Sequence, residues 1–140
     1  TGPLLGGTDR AAVAALAAAV PNATLVPFLP DLVDYLHAAD VVVTMGGYNA
    51  LCEVVAAGKR AIVVPRRPGP QEQMIRAERF QARGLVTMIR PDDLSPEVLA
   101  AAIATELRHG TSPRRGLLFS GRARIVAELA ATLAEVERPA

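Results

Sequence analysis

"VVVTMGGYNALCE", residues 41–53, is the stretch whose reading decides the fold. Three valines and a threonine come first, β-branched and without apolar–polar alternation. Such a run suits a strand covered on both faces, as in parallel sheets. Two adjacent glycines follow. A helical pattern then spans 48–57 and ends at Gly58, a left-handed cap. A buried strand that hands over to a helix through glycines is the building unit of α/β proteins.

The same alternation extends in both directions. "AIVVP" (61–65) reads as another buried strand. A loop over 66–70, held by three prolines and a glycine, leads to a helix over 71–83 closed by Gly84. "LVTMI" (85–89) reads as the last strand. Ser95-Pro96-Glu97 supplies a cap, a first-turn proline and an early acid, which start a helix running to Arg108. "HGTSPRRG" (109–116) reads as a loop, and a helix over 121–137 closes the chain. On the N-terminal side, Thr8 or Asp9 caps a helix to Val20, and Pro21-Asn22 breaks it. "ATLVPF" (23–28) reads as a strand. Pro30 and Asp31 open a short helix to Ala39 with Leu32, Leu36 and Tyr35 on its inner face. The class is therefore α/β, a Rossmann-like parallel sheet with flanking helices. Residues 1–140 read as a single domain, without repeat or low-complexity linker.

Composition narrows the function. The chain is 51% apolar and 4% aromatic, so Val, Leu, Ile and Ala must build the core. A net charge of +1 without long single-sign runs argues against a nucleic-acid-binding surface or a membrane-surface patch. Cys52 is the only cysteine, which fits a reducing compartment and a packed thiol. No apolar stretch reaches the roughly 20 residues of a membrane span. "AAVAALAAAV" (11–20) is too short for one and lacks the basic start of a signal peptide. No metal-ligand spacing or Cys/His pairing stands out, and His37 and His109 read as surface residues.

Three strand-to-helix handovers carry the candidate chemistry. Gly46 and Gly47 lie past the C-terminal end of a buried strand, where ligands bind in open parallel sheets. The helix behind them begins with unpaired N–H groups and the positive end of its dipole. Without a Cβ, the backbone can be approached closely by an anion. The amides near Gly47, Tyr48 and Asn49 thus form a candidate phosphate seat. Glu53, on the partly buried side of the helix, would accept hydrogen bonds from a ribose diol. The plainer alternative is a tight turn and a solvated acid, and spacing alone leaves both open. This is neither a G-x-G-x-x-G fingerprint nor a Walker loop.

"PRRPGPQEQMIRA" (65–77) rises from the same rim. Gln71, Glu72 and Gln73 suit sugar hydroxyls, and Arg66, Arg67 and Arg76 could offset a diphosphate's charge. Here the alternative is an acid favouring the helix dipole and surface arginines. "PFLPDL" (27–32) is the third handover, where the backbone at Leu29 could pair with a base edge.

Residues 40–85, with the pattern MGGYN…CE…GKRA…VPR…EQ…RA, resemble the donor-nucleotide half of GT-B glycosyltransferases. The resemblance is to the family-28 C-terminal domain, as in the peptidoglycan N-acetylglucosaminyltransferase, and more closely to a set of bacterial glycosyltransferases that share the pattern. It extends over nearly the whole chain. It implies that Gly46, Gly47, Tyr48, Asn49 and Ala50 belong to the loop and helix start that hold the donor diphosphate. It implies that Glu53 grips the ribose hydroxyls, that Phe28 and Leu29 read a uracil, and that Gln73, with Glu72 beside it, touches the donor sugar. Arg66 and Arg76 fall where the family varies. Met45 replaces an arginine of the peptidoglycan enzyme, and "RRPGP" replaces a polar stretch, so the donor sugar stays open.

The resemblance further implies hexose transfer from a nucleotide diphosphate sugar, with UDP-sugars the expected donors, to an acceptor hydroxyl. It implies no metal, no cofactor and no catalytic residue in this chain, because the base usually comes from the acceptor-binding N-terminal half. That half, as a domain or a partner chain, is the expected partner. The first strand–helix–strand unit of the domain also looks missing. The strand over 23–28 would then lack its neighbour, and unpaired edges invite homo-oligomers. The chain alone is expected to be inactive. Its expected location is cytoplasmic, with membrane association through the missing part. Two alternatives are a UDP-sugar 2-epimerase-like domain and a non-catalytic donor-binding subunit of a split glycosyltransferase.

Overall fold

The computed structural model describes residues 6–67, 71–109 and 120–136. The loop prolines Pro68 and Pro70, most of the 109–116 loop and Glu137 lie outside them. The chain divides into two compact units, Thr1–Tyr35 and Leu36–Ala140.

In the first unit, helix α1 spans Gly7–Ala18. It starts one residue before the expected cap. Gly6 occupies the N-cap, and Asp9 sits in the first turn, where its charge favours the dipole. Alanine's intrinsic preference for helix suits this segment, since none of its residues is buried. Residues 23–28, expected as a strand, form no regular element. A strand exists through its ladder, and the only sheet among the described residues is built from other segments. The Asp31 side chain accepts from the Val33 amide at 2.9 Å and so opens α2, Val33–Ala38. Leu36 is buried, whereas Leu32 and Tyr35, also expected inward, are exposed.

The second unit carries the sheet. Strands β1 (Val41–Thr44), β2 (Arg60–Val63) and β3 (Thr87–Met88) are all parallel, in the order β1-β2-β3. Helix α3 (Tyr48–Ala56) connects the first two strands, and α4 (Gln71–Ala82) connects the second to the third. A 3-10 turn (Pro91–Asp93), α5 (Pro96–Arg108) and α6 (Gly121–Val136) follow. Side chains alternate across a strand. Ala61 and Val63 of β2 face a core with Leu36, Leu51, Val54, Val55, Ala77 and Leu85. Ile62, fully buried, faces the other way, as does Arg60, which reaches Glu106 of α5. The sheet is thus sandwiched between α3 and α4 on one face and α5 on the other.

The central position of β2 explains its continuous burial. β1 is expected to be covered on both faces, but Val43 is exposed, and among the described residues β1 has a strand on one side only. Helix ends follow the sequence closely. Gly58 and Gly84 both adopt φ 67, and Ser95 Oγ accepts from the Val98 amide at 3.2 Å. Because the sheet is parallel, the segments after β1, β2 and β3 all emerge at one edge. They are 45–47, 64–67 and 89–92.

Candidate functional site at the C-terminal edge of the sheet

Thr44 ends β1, and its hydroxyl accepts from the Gly46 amide at 3.3 Å. Gly46 then turns the chain with φ 77. A Cβ on it would sit 2.8 Å from Val63 Cγ1, so both conformation and space require glycine. Gly47 differs: it has an ordinary φ of −55, and a Cβ there would meet nothing within 4 Å. Gly47 is the N-cap of α3, and no side chain caps the helix. The first helical bond runs from the Leu51 amide to the Gly47 carbonyl at 2.9 Å. The amides of Tyr48, Asn49 and Ala50 therefore have no protein acceptor among the described residues. Three donors and the positive end of a helix dipole converge on the open side of Gly47, an arrangement suited to an anion.

Glu53 lies one turn beyond Asn49 on the same helix face. It is exposed, where the sequence suggested partial burial, and among the described residues its carboxylate has no partner. The carboxylate is thus free to accept from a diol. Cys52 is half-buried in the same helix.

The loop after β2 meets α4 through Gln73, whose Oε1 accepts from the Arg66 amide at 3.1 Å. This leaves the Gln73 amide nitrogen as its remaining polar group. The Arg66 side chain is exposed. Arg67 pairs with Asp92 across the loops that follow β2 and β3. Arg76 reaches inward from α4. Its Nη1 donates to the Gly46 carbonyl at 3.1 Å, its Nη2 pairs with Glu72, and its guanidinium lies 5.4 Å from the centre of the exposed Tyr48 ring. Sequence spacing suggested neither this link nor the contact of Val63 with Gly46, since both join separate elements. Phe28 and Leu29 belong to the first unit; Phe28 is exposed and Leu29 half-buried.

The opposite edge carries a second polar cluster that sequence reasoning missed. Arg60 pairs with Glu106 at 2.9 Å and donates to the His109 carbonyl at 3.0 Å, while Thr87 donates to Glu106. Burial raises the Glu106 pKa, but the bonds from Thr87 and Arg60, with the charges of Arg60 and His109, outweigh it and hold the group below the ordinary carboxylate value. Cavities of about 180 and 290 Å³ flank this pair, and neither includes the glycine turn. Among the described residues no group of three or more His, Cys, Asp or Glu could hold a metal. No helix among them is long and apolar enough to cross a membrane.

Residues 6–116 match the model of the glycosyltransferase family 28 C-terminal domain. Several relatives carry the name UDP-N-acetylglucosamine--N-acetylmuramyl-(pentapeptide) pyrophosphoryl-undecaprenol N-acetylglucosamine transferase. That of Thermodesulfovibrio yellowstonii is 34% identical over 83 residues, which is 59% of this chain and 23% of the relative. That of Cupriavidus necator is 34% identical over 123 residues, 84% of this chain and 34% of the relative. The chain therefore spans a quarter to a third of such proteins. The crystal structure of Acinetobacter baumannii MurG superposes with a TM-score of 0.61 at 22% identity, covering 76% of this chain and 36% of MurG, which supports the fold. The match over most of the chain, on a parallel sheet of this architecture, makes the protein a member of the glycosyltransferase family 28 C-terminal domains.

Proposed function

We propose that this chain is the donor-binding part of a glycosyltransferase that moves a hexose from a UDP-sugar to an acceptor hydroxyl. The observation that carries this reading is the set of unpaired amides of Tyr48, Asn49 and Ala50 beside the open Gly47. In this reading the diphosphate lies against these amides, and Glu53 accepts from both ribose hydroxyls. The Gln73 amide nitrogen is left for the donor sugar. The resemblance assigns the base to the backbone at Phe28 and Leu29. The names of the relatives favour uridine as the nucleoside and an N-acetylated hexose as the sugar.

When the bond from the anomeric carbon to the β-phosphate oxygen breaks, its electron pair stays with the diphosphate. Fixed amides and a helix dipole stabilise that growing charge without reorganising. No metal and no cofactor is needed for this role. The proton of the acceptor hydroxyl is taken by a group outside this chain, on the acceptor-binding half.

Calorimetric titration with UDP, GDP, dTDP and their sugars tests the reading. UDP should bind more tightly than dTDP, whose deoxyribose lacks one of the two hydroxyls offered to Glu53, and Glu53→Ala should weaken UDP binding by about 1.5–3 kcal/mol, the value of a charge-assisted hydrogen bond. Equal affinity in the variant would remove Glu53 from the site. No binding of any nucleotide would overturn the reading. Product analysis of the full-length protein would separate transfer from 2-epimerisation, which needs no acceptor.

A further inference from the structure

From its three contacts we infer that Arg76 is a positioning residue for the diphosphate, acting through the peptide that joins Gly46 to Gly47. This rests on the donor-binding reading above. The Arg76 side chain is 14% exposed, and both of its terminal nitrogens are engaged: Nη1 with the Gly46 carbonyl and Nη2 with Glu72. The guanidinium carbon lies over the ring of Tyr48, the first residue of α3. A side chain so engaged is poorly placed to fork onto a phosphate as well.

Its effect passes along the backbone instead. In a trans peptide the C=O and N–H bonds point in opposite directions. Holding the Gly46 oxygen therefore aims the Gly47 N–H away from Arg76. Two glycines in sequence make this peptide easy to rotate, since neither has a Cβ to resist. A rotated peptide would turn an N–H dipole toward the guanidinium and a carbonyl oxygen to the opposite side. The arginine charge opposes that state. The contact with Tyr48 holds the next residue as well, so one side chain of α4 sets the turn from which α3 offers its amides.

Nitrogen–proton spectra of the free chain, followed by UDP titration, test this role. In Arg76→Met the Gly47 amide resonance should move or split, and the UDP dissociation constant should rise at least about tenfold. The thermal midpoint should move by only a few degrees, which separates positioning from general support of the fold. An unchanged Gly47 amide, or unchanged UDP affinity, would overturn the inference and leave the donor reading standing. Absence of UDP binding in the unsubstituted chain would overturn the donor reading, and this role with it. Should Arg76→Met fail to fold, Arg76→Lys carries the test. It keeps a charge over Tyr48 but cannot hold Gly46 and Glu72 with one planar fork. A severalfold loss of UDP affinity is expected, and undiminished affinity would overturn the inference.

Discussion

Gly46 and Gly47 are adjacent, and the fold asks different things of them. Gly46 has a positive φ and lies against Val63, so Gly46→Ala combines left-handed strain of about 1–2 kcal/mol with a steric conflict. Its unfolding midpoint in heat or urea should fall clearly. Gly47 has an ordinary backbone conformation and open space where a Cβ would stand. Gly47→Val should cost only the loss of a favoured N-cap residue, about 1 kcal/mol and less than Gly46→Ala, while abolishing UDP binding in the donor reading, because its methyl groups would fill the anion's approach. A large loss of stability in Gly47→Val would contradict this division. The sequence marked both glycines as a seat for an anion. It could not separate them, because the reason for Gly46 lies on β2.

Local signals decide most of the elements. Ser95 caps α5 as its spacing to Pro96 and Glu97 suggests, and its hydroxyl meets the Val98 amide. Ser95→Ala should cost about 1 kcal/mol, read by urea denaturation, with no change in UDP affinity. The left-handed glycines after α3 and α4 were equally legible, since a cap depends on neighbours within a turn. Strands were less so. Residues 23–28 have strand-like composition but form no strand, and the segment expected over 85–89 has only Thr87–Met88 in the ladder. Ile89 extends the pairing by one bond, from its amide to the Val63 carbonyl at 3.0 Å. A strand's limits are set by its partner, and strand propensity reports packing more than backbone preference.

At the scale of the molecule, the Arg60–Glu106–Thr87 cluster ties β2 and β3 to α5. Glu106 is the only buried charged residue among those described, at 8% exposure. Glu106→Gln keeps an acceptor for Arg60 and Thr87 but removes the charge they bond to, so it should lower stability at neutral pH by about 1.5–3 kcal/mol. The pKa of Glu106 is depressed in the folded state relative to 4.5, so the unfolded chain binds its proton more readily. This stabilisation is complete above about the unfolded value and is lost as pH falls through the lower folded value. The gap between the original chain and Glu106→Gln should therefore be full at neutral pH and close in that acid window. A gap that stays constant with pH would refute the linkage.

What the amino-acid order alone determined is the parallel α/β class, the strand–glycine–helix handover and the helix ends, because each is written in neighbouring residues. Only the tertiary structure decided that Val63 requires a glycine at 46, that Arg76 holds the turn, that β1 is half-covered, and that Glu106 meets Arg60. Those depend on distances between residues far apart in the chain, and local periodicity carries no record of such distances.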